Sequence, residues 1–85
     1  MKIVNMAYYE KEDWEFFLSI VDDKENLHEK WEDWFKSYSN LKAHLISEGI
    51  VVRDIKININ ELVDYCLDRK IKIDGKARAQ FVQTK

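Results

Sequence analysis

The longest regular pattern of hydrophobic positions lies in the middle of the chain. Large apolar side chains recur there at steps of four and three residues, at Leu27, Trp31, Trp34, Tyr38, Leu41 and Leu45. This spacing places them along one face of an α-helix, and most of the charged residues between them fall on the opposite face. Gly49 follows directly, as expected after a helix, because glycine takes the left-handed conformation without a steric penalty. The pattern predicts a helix over residues 26–48, about 34 Å long.

Shorter patterns before and after this helix predict two strands. Residues 2–9 are rich in β-branched and aromatic side chains, which favour a strand. From Val51 to Ile59 the hydrophobic period changes to two, as in a strand that buries one face. Because two strands alone are marginally stable in water, we expect them to pack on the long helix or to be extended by a partner.

Local signals predict three further helices. Apolar residues share one helical face over residues 14–21, and Asn58 and Glu61 have the spacing of a capping box at the start of a third helix. Asp74 is a suitable N-cap for a final helix through Val82. The predicted order β-α-α-β-α-α describes one α+β domain over residues 1–85, mostly helical, with a two-stranded sheet packed on the long central helix.

Aromatic residues make up 13% of this short chain. We expect most rings to be buried in a seam between the first two helices, formed by Trp14, Phe17, Trp31, Trp34, Phe35 and Tyr38. The remaining rings lie on elements with less cover: Tyr8, Tyr9, Phe16, Tyr65 and Phe81. The stripe on the long helix is longer than the short elements can cover, so its excess near Leu41, Leu45 and Ile46, or near Leu27, is a candidate surface for a second copy or another protein.

Charge is unevenly distributed along the chain. The formal net charge is −2, but residues 1–68 sum to −7 and residues 69–85 to +5. A basic segment that ends in a capped helix can bind phosphates. The candidate binding residues are therefore Lys70, Lys72, Lys76 and Arg78, with the rings of Tyr65 and Phe81 beside them. The alternative is that this segment balances the acidic part of the chain, with Arg78 in an ion pair with an acid such as Glu61 or Asp64.

The residue types that usually carry catalysis are few and scattered. His28 and His44 are about 24 Å apart along the predicted helix, too far to share a metal ion or a proton. Cys66, the only cysteine, lies between acidic residues in mid-helix, where a buried structural thiol is expected. The adjacent carboxylates Asp22 and Asp23 are expected to be solvated. The sequence shows no nucleophile elbow, phosphate loop or CxxC pair, so we expect a non-enzyme without cofactor or metal.

A series of short stretches also carries a resemblance to known proteins: Ala7-Tyr8-Tyr9, Asp13-Trp14 with Phe17, Trp31-Glu32-Asp33-Trp34-Phe35, Gly49-Ile50-Val51-Val52, Glu61-Leu62 with Tyr65-Cys66, and Asp74-Gly75-Lys76-Ala77-Arg78. Together these stretches resemble a family of short bacterial proteins of uncharacterised function. The resemblance covers nearly the whole chain and implies a stand-alone bacterial protein, with no catalytic residue to carry over.

Two functional hypotheses follow. The first is a non-catalytic interaction or adaptor protein, possibly a homodimer, that uses aromatic surface left on the long helix. The second is an accessory nucleic-acid-binding protein that uses the basic C-terminal segment. No apolar run approaches the ~20 residues that span a bilayer, and one cysteine cannot form an internal disulfide, so we expect a cytoplasmic protein without a membrane partner.

Overall fold

The computed structural model describes all residues from 1 to 85 and confirms the predicted α+β, mostly helical fold. The regular elements are β1 (Ile3–Tyr8), α1 (Trp14–Ile20), α2 (Trp31–Ser47), β2 (Val51–Lys56), α3 (Ile59–Arg69) and α4 (Gly75–Gln83). Single turns of 3₁₀ helix cover Lys11–Asp13 and Lys24–Asn26. No helix is long and apolar enough to cross a membrane.

The two strands form a parallel sheet that lies between two helices. Ile3 pairs with Val51 and Tyr8 with Lys56 at the two ends of the ladder. Successive side chains of a strand point to opposite faces. On one face the ring of Tyr8 packs against α2, and on the other face Asn5 Nδ2 donates a hydrogen bond to a carbonyl oxygen of α4, 3.2 Å away. Both faces are therefore covered, as parallel sheets require, and the prediction of a sheet packed on the long helix is confirmed.

Most aromatic rings belong to one network between α1, β1 and α2. Its members are Tyr8, Tyr9, Trp14, Phe17, Trp31, Trp34, Phe35 and Tyr38. The ring of Tyr9 lies at its centre, with its centroid 4.3 Å from that of Phe17 and 5.5 Å from that of Trp34. Burial raises the pKa of Tyr9 to about 12. The predicted seam thus exists, and it includes two rings of the strand segment.

Three of the expected exposures are wrong. Tyr9 and Phe81 are buried, because the chain after β1 passes between α1 and α2 and because α4 folds back against α3. Phe35 was expected inside the seam but is 39% exposed, because it lies on the flank of α2. Phe16 is exposed, as expected.

The long helix begins at Trp31, five residues later than predicted. Two indole groups hold the preceding segment in another conformation. Trp14 Nε1 donates a hydrogen bond to the carbonyl oxygen of Glu29, and Trp31 Nε1 donates one to the carbonyl oxygen of Tyr9. The carbonyl of Glu29 is therefore used by tertiary packing rather than by a helical turn. With 17 residues the helix is about 26 Å long.

Asp22 and Asp23 contact the segment that contains the α3–α4 link and α4. Asp22 stays exposed, as expected, whereas the expectation that Asp23 is solvated is wrong. Asp22 Oδ2 accepts a hydrogen bond from the amide of Ile73 at 2.7 Å. Asp23 forms a bidentate ion pair with Arg78, with N–O distances of 2.7 and 2.8 Å. Glu61 and Asp64, the expected partners of Arg78, are wrong: the ion pair is formed by Asp23 in the loop after α1, and the guanidinium also donates to the carbonyl of Ile73 at 3.3 Å.

Candidate interaction surface

The outer edges of the two-stranded sheet carry main-chain groups without partners. The amide of Val51 donates to the carbonyl of Lys2, and that of Ile57 donates to the carbonyl of Tyr8. Main-chain groups alternate in direction along a strand, so these bonds fix which groups of β2 point away from β1. The outward groups belong to Val52, Asp54 and Lys56, and none of their amides has a hydrogen-bond acceptor within the chain. The same argument leaves Ile3, Asn5 and Ala7 on the outer edge of β1.

The edge of β2 is the more accessible of the two. Arg53, Asp54 and Lys56 are exposed, and the side chain of Lys56 is 70% exposed. On β1, by contrast, Asn5 and Ala7 are partly buried and the C-terminal end of α4 is bonded to Asn5. A strand from another chain would therefore meet less obstruction at β2.

One flank of α2 lies beside the edge of β2. Phe35, Ser39, Lys42 and Ile46 follow one another at steps of four, three and four residues, so they share this flank. The first three line a cavity of about 300 Å³ together with Tyr8, Tyr38 and Asp54. Phe35 and Ile46 are exposed, at 39% and 55%. We name the outward groups of β2 (Val52, Asp54, Lys56) and this flank of α2 (Phe35, Ser39, Lys42, Ile46) the edge surface.

A cluster of polar groups joins the two parts of the edge surface. The hydroxyl of Tyr38 donates a short hydrogen bond to Asp54 Oδ1, and Lys42 Nζ contacts Asp54 Oδ2 at 2.6 Å. Hydrogen bonds from Lys42 and Tyr38 lower the pKa of the Asp54 carboxyl. Burial, and secondly the bond to Asp54, raise the pKa of Tyr38 above its usual value. Asp54 is therefore an anion at neutral pH, fixed in position at an open sheet edge.

This arrangement suits recognition of another chain. Free main-chain donors and acceptors can pair with an extended segment, and a fixed carboxylate beside an exposed lysine can select its charge pattern. Exposed rings and aliphatic side chains next to such an edge add apolar contact. A second cavity, of about 410 Å³, continues this surface beyond the end of β2, where Lys56 and Phe16 line it.

The structure separates the basic residues predicted to bind phosphate. Lys70 occupies the left-handed position after α3, whereas Lys72 and Lys76 line a cavity of about 190 Å³ that also contains Asp74. Arg78 is engaged with Asp23, with only 12% of its side chain exposed. Burial opposes the charge of Arg78, but the hydrogen bonds to Asp23 raise its pKa overall. The three lysines of the predicted set are thus exposed, whereas the side chain of Arg78 is mostly buried beside the core.

The two rings predicted beside the basic segment have different environments. Phe81 is 4% exposed and belongs to the hydrophobic core, so its proposed role in binding a partner is wrong. Tyr65 is partly buried, with its ring 5.2 Å from that of Phe81. The guanidinium of Arg69 covers the ring of Tyr65 at 3.7 Å. This pair therefore offers little free aromatic surface.

The histidines and the cysteine lie apart from one another. His28 and His44 are exposed, and their nearest polar partners are Ser37 and Glu48. Cys66 is 1% exposed, as expected of a core thiol, and burial raises its pKa. No group of three or more metal-binding side chains is close enough to hold a metal ion.

Sequence reasoning missed the cluster of Tyr38, Lys42 and Asp54. The predicted seam includes Tyr38, but the period-two pattern from Val51 to Ile59 does not single out Asp54. The one available signal was the run Arg53-Asp54-Ile55-Lys56, which places opposite charges two residues apart on one side of a strand. The pairing of Asp54 with α2 depends on which face the helix covers, and the local pattern does not specify this.

No protein-family model, curated protein or solved structure matches this chain. The resemblance to short bacterial proteins stays a prediction.

Proposed function

We propose that this chain is a non-catalytic interaction protein that binds a protein partner by accepting a strand at the outer edge of β2. The observation that carries this proposal is the row of unpaired main-chain groups at Val52, Asp54 and Lys56. A two-stranded sheet is marginal in size, and an open edge is a template for pairing with another chain. Added strands are a recurrent mode of recognition, in which main-chain bonds provide affinity and side chains provide specificity.

Site-specific photocrosslinking in cells tests this proposal. A photoreactive phenylalanine analogue in place of Arg53, beside the β2 edge, should yield a covalent adduct with a protein. The same analogue in place of Leu67, which is 67% exposed on α3, is the matched control. Adding Lys56→Pro should abolish the adduct at position 53, because proline removes one outward amide without disturbing the bonds between β1 and β2. An adduct at position 53 that persists with Lys56→Pro contradicts the proposal, and so does the absence of any adduct there.

Nucleic-acid binding through Lys70, Lys72 and Lys76 is the alternative. It requires binding to DNA or RNA that weakens steeply with salt, because each phosphate contact releases counterions. The ion pair of Arg78 with Asp23 removes one of the four cations on which this alternative was based.

A further inference from the structure

We propose that the strand accepted at the β2 edge is β2 of a second copy of this chain, in antiparallel orientation. The inference rests on the proposed function and specifies its partner. Antiparallel pairing of two identical strands has a two-fold axis, which is the commonest symmetry of protein dimers and requires only one self-complementary surface. The product is a four-stranded sheet in the order β1-β2-β2-β1.

Charge selects one register for this pairing. If the axis passed through Asp54 or Arg53, that residue would lie opposite its own copy, and like charges directly opposite are destabilising. If the axis passes through Ile55, Asp54 of each copy lies opposite Lys56 of the other. On one face Lys56 exchanges its exposed 3.3 Å contact with Glu10 for Asp54 of the other copy, so two ion pairs form, and on the other face Ile55 meets its own copy. The main-chain groups of Asp54 and Lys56 already point outward, so the two pairs of Asp54 with Lys56 exchange about four main-chain hydrogen bonds.

Helix spacing fits the same arrangement. Strands in a sheet are about 4.8 Å apart, so each copy contributes a sheet about 10 Å wide. Packed helices are about 8–10 Å apart. In the four-stranded sheet, the α2 helix of each copy therefore covers that copy's two strands. The two α2 helices lie side by side on the same face of the sheet and contact each other at the two-fold axis.

The flank of α2 has side chains suited to packing against a second α2 helix. Ser39 is small and lies between exposed Phe35 and Ile46. Tyr38 and Lys42, on either side of Ser39, both contact Asp54, so the middle of this flank lies above the centre of the proposed strand pair. Antiparallel helices then bring Phe35 of one copy toward the Ile46 end of the other and bury both apolar side chains.

Sedimentation velocity across about three decades of protein concentration tests the dimer. The wild-type chain should reach twice the monomer mass. Lys56→Glu places a glutamate opposite Asp54 in both pairs, so the dissociation constant should rise by about tenfold or more. Lys56→Gln should have a smaller effect, and Lys56→Pro should give a monomer. Lys76→Glu, an equal charge change on α4, should leave the dimer unchanged, and circular dichroism should show that every variant is folded.

Hydrogen exchange identifies the edge that pairs. The amides of Val52, Asp54 and Lys56 should become protected as concentration rises, whereas those of Ile3, Asn5 and Ala7 should not. A dimer that tolerates Lys56→Glu and Lys56→Pro, or that protects the β1 edge instead, overturns this inference. A monomer at every concentration also overturns it. If position 53 instead crosslinks to a different protein, and Lys56→Pro abolishes that adduct, the proposed function holds but the partner is not a second copy. If no such adduct forms either, both proposals are wrong.

Discussion

The ion pair between Asp23 and Arg78 joins two distant parts of the chain. The residues are 55 positions apart, and their side chains are only 18% and 12% exposed. A planar guanidinium matches a carboxylate with two parallel hydrogen bonds, which fixes direction as well as distance. Breaking a pair this deeply placed leaves the remaining charge poorly compensated. The ion pair therefore ties the loop after α1 to α4.

Asp23→Asn should lower the free energy of unfolding at pH 7 by about 2 kcal/mol, because a charged hydrogen-bond acceptor is lost. The bonds from Arg78 lower the pKa of Asp23 in the folded chain. Its contribution is therefore complete above the unfolded-state pKa of about 3.9 and is lost as the pH falls through the folded-state value. Urea unfolding at a series of pH values should show the difference between wild type and variant shrinking below about pH 4.

Asn60→Ala, an exposed change in the first turn of α3, is the control and should be nearly neutral at all these pH values. A wild-type advantage that is constant down to pH 2 would contradict the assignment, since it could not come from ionisation of Asp23.

At the scale of elements, α2 and α3 end in the same way with different residues. After α2 the amide of Ile50 donates to the carbonyl of Leu45, and after α3 the amide of Ile71 donates to the carbonyl of Cys66. In each case the residue before the donor is left-handed, with φ 80° at Gly49 and φ 55° at Lys70. This bond pattern is that of a Schellman motif, whose left-handed position favours glycine.

Replacing Gly49 with alanine and Lys70 with glycine should change the free energy of unfolding in opposite directions. Gly49→Ala should destabilise by about 1 kcal/mol through backbone strain alone, because a Cβ there meets no atom within 4 Å. Lys70→Gly should stabilise by up to about 1 kcal/mol, because the strain of the left-handed lysine is relieved. Thermal unfolding followed by circular dichroism measures both changes. Equal destabilisation by the two substitutions would show that side-chain contacts, rather than backbone conformation, decide these sites.

At the scale of the whole molecule, the aromatic network has a buried centre and an exposed margin. Phe17 is 1% exposed at the centre, with its ring 4.3 Å from Tyr9. Phe35 is at the margin, where its ring stacks on Trp31 at 4.9 Å but remains open to water on its other side. The two phenylalanines belong to one network but should contribute differently to stability and to association.

Phe17→Ala should cost about 3–5 kcal/mol, enough to unfold much of so small a domain. Phe35→Ala should cost no more than about 1.5 kcal/mol, because less area is removed from contact, while it weakens self-association. Urea unfolding measures the loss of stability in both variants, and sedimentation velocity measures the self-association of Phe35→Ala. If Phe35→Ala destabilised the monomer as much as Phe17→Ala does, its role in the edge surface would have to be abandoned.

Features that depend on near neighbours are predictable from the sequence. The strand over β1, the first helix, the caps at Asn58 and Asp74 and the left-handed Gly49 were all predictable, because periodicity, capping side chains and glycine act within a few residues. The two-stranded sheet on a long helix followed from the order of these elements. The open edge was foreseen only in general form, as two strands in need of a helix or a partner.

Features that join distant segments depend on how the elements pack together. The start of α2 at Trp31 depends on indole hydrogen bonds to Tyr9 and Glu29, which no helical pattern specifies. The partner of Arg78 and the burial of Phe81 depend on how α4 folds back over the core. The edge surface likewise exists only because α2 places Tyr38 and Lys42 over Asp54. Local interactions fix each element, but contact between elements depends on their relative orientation, which the packing of the whole chain determines.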